Sequence, residues 1–137
     1  MAGEVGFVDT SVIVRFLVQD DPELAEQARR IIEEHPALLT TTVTIAESAF
    51  VLMRVYGLSR HVVVDSLVDL LRRSNIAVYQ LETSIVIQAL LLCRPSGRVS
   101  FADAMLWASA RSAGDDSTVY TLDQRFPSND ISVRAEL

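Results

Sequence analysis

The chain contains no lysine; all twelve of its basic residues are arginine. That excludes a phosphate-binding loop of the Gly-x-x-x-x-Gly-Lys kind, which needs a lysine on the phosphates. Schiff-base and catalytic-lysine chemistry go with it. Cysteine occurs once, at Cys93, so no disulfide can form within the chain and a reducing cytoplasm fits. The two histidines, His35 before a proline and His61 opening a helix, lack the spacing of a metal pair and read as incidental. Long apolar runs are missing too. Ile85–Ile87 and Ala89–Cys93 are separated by Gln88, and neither approaches the length that spans a bilayer. No charged-then-apolar leader opens the chain, so no signal peptide is expected.

What is present is one ordinary domain's worth of chain, 137 residues, read as a single unit over 1–137 with its own core. Half of the residues (50%) are apolar and the mean hydropathy is +0.28. That is the upper edge of the soluble range, and the excess is assigned to a subunit or partner interface. A net charge of −6 argues against a protein that coats nucleic acid. It does not argue against a nuclease. A metal site carries excess carboxylates, and phosphate contacts need only a local basic patch.

Apolar runs and turn residues alternate along the chain. Val5–Val8, Ala37–Thr42, Ile76–Leu81 and Thr118–Thr121 read as strands, with Ile131–Val133 as a candidate fifth. Between them, helices are expected over Ser11–Val18 and Pro22–Glu34, the second started by Asp21–Pro22 and stopped by His35–Pro36. Another begins at Thr44 and closes at Gly57, and one capped by Ser59 runs to about Arg73. Glu82–Arg94 and a Ser100-capped helix to Ala113 complete the set. Met1–Glu4 is expected to be a loose end. The alternation predicts an α/β fold: a central, mostly parallel, twisted sheet of four or five strands with helices on both faces.

Four acids sit where strands pass into helices or loops: Asp9, Glu47, Asp103 and Asp123. In an open parallel sheet, sites form outside the carboxyl ends of the strands. Asp9 and Asp123 follow strands, and Glu47 and Asp103 are expected in first helical turns, where the helix dipole stabilises negative charge. Crowded carboxylates resist ionising together, and a hard divalent cation such as Mg²⁺ or Mn²⁺ removes that conflict. The duller alternative stands beside it. Thr44-x-x-Glu47 and Ser100-x-x-Asp103 both match a capping box. Asp9 fits as a helix cap, and Asp123 as a turn residue.

These residues resemble the PIN-domain ribonuclease family, specifically its VapC-type toxins. The resemblance covers nearly the whole chain. Phe7–Val8–Asp9–Thr10–Ser11 resembles the opening strand with its first acid and following hydroxyl. Thr44–Ile45–Ala46–Glu47 and Phe101–Ala102–Asp103–Ala104 resemble the second and third motifs, and Val119 to Phe126, through Thr121 and Asp123, the closing one. It implies a PIN-like three-layer sandwich, Mg²⁺- or Mn²⁺-dependent endonucleolytic cleavage of RNA, a homodimer, and a cognate antitoxin protein. It places Asp9, Glu47, Asp103 and Asp123 in the catalytic, metal-holding set, with Asp9 and Asp103 as the closest ligands and Asp123 completing the pocket.

Around that set, Thr10 or Ser11 supports Asp9 or contacts a phosphate, with helix capping as the equal alternative; Thr121 joins them beside Asp123. Arg15, Arg98 and Arg125 are candidate phosphate contacts. Arg29–Arg30 and Arg72–Arg73 read as polar helix faces. Trp107, Phe50 and Tyr56 offer rings on which bases stack, although their helical spacing favours core or interface packing. Cys93 reads as a small buried hydrophobe. The competing functions are a PIN-like RNA-maturation nuclease without a toxin role, and a binding module whose acids only cap helices. A receiver-type phosphotransferase is disfavoured because its site uses a lysine.

Overall fold

The computed structural model describes residues 4–137; of the expected loose start, Met1–Gly3 lie outside it. Five strands and six helices alternate in the expected order. They are β1 (Gly6–Phe7), α1 (Thr10–Val18), α2 (Pro22–Glu34), β2 (Leu38–Thr40), α3 (Thr42–Arg54), α4 (Arg60–Leu71), β3 (Ile76–Val78), α5 (Thr83–Leu92), α6 (Phe101–Ala113), β4 (Thr118–Tyr120) and β5 (Ser132–Arg134).

Local chemistry explains most helix starts. The Asp21 side chain accepts from Leu24 N at 3.1 Å and Pro22 fills the first helical position, which removes one donor that would otherwise lack a partner. Ser100 accepts from Asp103 N at 3.0 Å at the head of α6. One boundary moves. α3 is capped by Thr41, which accepts from Thr44 N at 3.2 Å, so the helix begins before Thr44 and Thr44-x-x-Glu47 is not a capping box. Threonine occupies positions 40, 41, 42 and 44, and each is a competent cap by type.

All strand pairing is parallel. β1–β2–β3 form one ladder, with Phe7 opposite Leu39 and Leu39 opposite Ala77. β4–β5 form a second, with Val119 opposite Val133. The five expected strands are thus present, hydrogen-bonded among the described residues as three and two. The alternation of a strand sends Val8, Leu38, Thr40, Ile76 and Val78 into the core. Phe7 and Tyr79 stay on the more exposed face, their rings edge to face at 5.4 Å. β1 is tightly packed at Gly6, where a Cβ would come within 3.0 Å of His35 Nε2 and 3.2 Å of Leu38 Cδ2, so these side chains would have to shift.

One continuous apolar cluster runs from Val8 to Phe126 and takes side chains from every helix. α3 packs on both α1 and α6, which makes neighbours of the elements that carry three of the four acids. No helix among the described residues is long and apolar enough to cross a membrane.

Candidate active site

Asp9 leaves β1 and caps α1. Its Oδ1 accepts from Ser11 Oγ at 2.6 Å and from Val12 N at 3.3 Å. The Ser11 hydroxyl, then the Val12 amide, hold its carboxyl below the ordinary aspartate range. Asp9 is therefore charged at neutral pH. The helix-cap reading of this residue holds, and Ser11 supports its carboxylate. Thr10 is the first residue of α1 and is half-buried.

Glu47 is exposed and lies in the second turn of α3 rather than the first, so it takes little from the helix dipole. Asp103 does lie in the first turn of α6 and is half-buried. Its backbone N–H meets the Ser100 cap, but its carboxylate returns no bond, so the capping box is half made. Among the described residues, neither the Glu47 nor the Asp103 carboxylate has a hydrogen-bond or ion-pair partner. Asp123 is the most engaged of the four. Its N–H donates to Thr121 Oγ1 at 3.0 Å, its Oδ1 accepts from Arg125 N at 2.8 Å, and the Arg125 Nε stands at 3.8 Å. Thr121 is in turn tied to the last strand by its N–H to Arg134 O, 3.0 Å.

Among the described residues, no three His, Cys, Asp or Glu side chains stand close enough to hold an ion together. The donor chemistry nonetheless fits a hard divalent cation. The candidates are oxygen donors only, Asp9 is held ionised, and Mg²⁺ takes one or two carboxylates directly and fills its remaining positions with water.

The other candidates divide. Arg15 Nη1 is bonded to Asp20 Oδ1 at 2.9 Å. His35 is a turn residue whose Nδ1 accepts from Ala37 N at 3.0 Å. Trp107 is core, 2% exposed, and its Nε1 donates to Asn129 O at 2.8 Å. Tyr56 packs against the core. Phe50 alone of the three rings is largely exposed, at 58%. Cys93 is fully buried, and burial pushes its thiol up to about 12. Arg54 was not evident from sequence as a functional candidate. Its guanidinium lies over the Phe50 ring, 5.7 Å from the centroid; the signal was the i, i+4 spacing on one helix.

The chain belongs to the PIN-domain family, whose model matches residues 6–131. No curated protein matches it. Among solved structures it is similar to the Mycobacterium tuberculosis toxin VapC20, described as cleaving the sarcin-ricin loop. That similarity covers 90% of this chain and 92% of the other, at 23% identity and a TM-score of 0.43.

Proposed function

We propose that this chain is an endoribonuclease that hydrolyses RNA phosphodiester bonds with a divalent cation, Mg²⁺ or Mn²⁺, as the toxin of a toxin–antitoxin pair. The observation that carries the proposal is the PIN-domain match over residues 6–131, which spans all four acids from Asp9 to Asp123. The unpartnered carboxylates of Glu47, on the helix packed against the one Asp9 caps, and of Asp103, on a helix packed in turn against that of Glu47, support it. In this reading Asp9 and Asp103 hold the cation directly, and Glu47 orients its waters. Asp123 completes the acidic pocket, held in its turn by Thr121 and Arg125. Such a cation, when bound, acidifies a coordinated water and stabilises the leaving oxygen. Ser11 keeps Asp9 ionised and fixed in direction, as an outer hydrogen bond does for a ligating group. Thr10, Arg15 and Arg125 are the candidates for phosphate contact, and Arg15 would have to leave Asp20 to serve. A cytoplasmic homodimer bound by a cognate antitoxin completes the proposal.

The test is cleavage of total cellular RNA by the purified chain with Mn²⁺, alongside Asp9→Asn and Asp103→Asn. Both variants should keep the wild-type circular dichroism spectrum and lose cleavage, and chelation with EDTA should silence the wild type. Undiminished cleavage by both variants, with contaminating nuclease excluded, would reject the mechanism. Growth arrest on expression separates a toxin from an RNA-maturation enzyme.

A further inference from the structure

A cleft of about 350 Å³ opens between α3 and α6, floored by Phe50, Met53 and Phe101, with Arg54 and Arg60 on its wall. Its volume is in the range of clefts that take small organic groups, about 300–1,000 Å³. Its lining carries two arginines and no acid, unlike the rest of this acidic chain. Ala46 and Ala102 also line it, and the residue after each is a proposed metal-site acid, Glu47 and Asp103. The cleft therefore adjoins the proposed site of cleavage.

Its two arginines are not equivalent. Arg60 is fixed: its Nη1 donates to Cys93 O at 3.2 Å and Val99 O at 3.4 Å, and its guanidinium lies 5.0 Å from the Phe101 centroid. Arg54 is exposed and, among the described residues, has no carboxylate partner. An exposed ring with a guanidinium beside it that no carboxylate engages is what a nucleotide requires: a flat face for the base and a cation for its phosphate.

We infer that this cleft receives one unpaired base of the RNA, stacked on Phe50 with the adjoining phosphate held by Arg54. The inference rests on the nuclease reading for its substrate, but it is tested by binding alone. A second copy of the chain is the rival occupant. Two facing copies would set Arg54 and Arg60 of each against the same cations of the other, and the lining supplies no carboxylate to offset them.

The experiment measures fluorescence anisotropy of labelled oligouridylate and oligoadenylate decamers in EDTA, using the full chain, with light scattering on the same samples. Wild type should bind at least one decamer. Phe50→Ala should weaken binding about ten-fold or more, within the range for loss of one stacked base. Phe50→Leu should weaken it nearly as much, because it keeps apolar bulk and loses the π face; recovery by leucine would mark a packing role and overturn the inference. Arg54→Ala should also weaken binding and flatten its salt dependence. Equal affinity in Phe50→Ala and wild type overturns the inference, as does binding of neither decamer by wild type. Conversion of a wild-type dimer to monomer by Phe50→Ala overturns it as well, and marks the face as an interface between copies. If RNA is cut but Phe50 is irrelevant to binding, only this inference fails; if binding depends on Phe50 but nothing is cut, only the nuclease reading fails.

Discussion

At the scale of single residues, the Asp9–Ser11 pair gives a signed expectation. The folded carboxyl of Asp9 titrates below its unfolded value, so its contribution to stability is present above the unfolded value and is lost as pH falls through the folded one. Ser11→Ala removes the largest cause, and the Asp9 carboxyl resonance should then titrate at higher pH by NMR; an unmoved titration would detach Ser11 from this role. Cys93 has the opposite sign. Its raised value keeps the thiol neutral, and the stability it adds is present below about pH 9 and lost as pH rises towards 12. The native protein should resist iodoacetamide at pH 8 and react on unfolding, and rapid native alkylation would contradict the burial. Ser48 is fully buried with a hydroxyl that has no partner among the described residues. Such a group costs on the order of 1–3 kcal/mol, so Ser48→Ala should raise the urea midpoint; a lowered midpoint would mean that the hydroxyl is satisfied in solution.

Single elements are held by side chains placed at their ends. Asn75, just before β3, donates from Nδ2 to Ile32 O at 2.7 Å and His35 O at 2.9 Å. It closes the end of α2, where carbonyls have no helical partner, and ties that end to the sheet. Asn75→Ala should cost about 1–3 kcal/mol in chemical denaturation; a neutral result would mean that water replaces both bonds. This is also the scale at which the sequence was most and least informative. Caps and breakers such as Asp21–Pro22, His35–Pro36 and Ser100 act within a few residues, so α2 and α6 end where their sequence says. Strands were read too long. Ile76–Leu81 reads as one strand, but the last bond to β2 is from Tyr79 N to Thr40 O at 2.8 Å, and on the other side Thr83 Oγ1, not a further strand, takes the Val78 N–H. Run length follows burial, whereas ladder length follows partners, and partners are not local. The same reason hid the three-and-two pairing; the place of Glu47 in its helix was hidden locally, by several threonines each able to cap α3. The four acids were visible as a pattern because each lies close to a local signal, a strand end or a helix start.

For the whole molecule, half the residues are apolar, and several large ones remain on the surface, among them Val43, Val55, Leu106 and Leu122. Burying some of these is the expected basis of a dimer, and light scattering at micromolar concentration should return twice the chain mass; the mass of one chain would count against it. The parallel ladder of β4 and β5 joins Tyr120 to Arg134 and extends to the Thr121 N–H. The strand Ser132–Arg134 therefore acts as a splint for the turn presenting Asp123. Removing 131–137 strips that support and leaves Asp9, Glu47, Asp103 and Asp123 in place. Trypsin should then nick the shortened chain after Arg125, and nuclease output should drop although every proposed ligand is still in place.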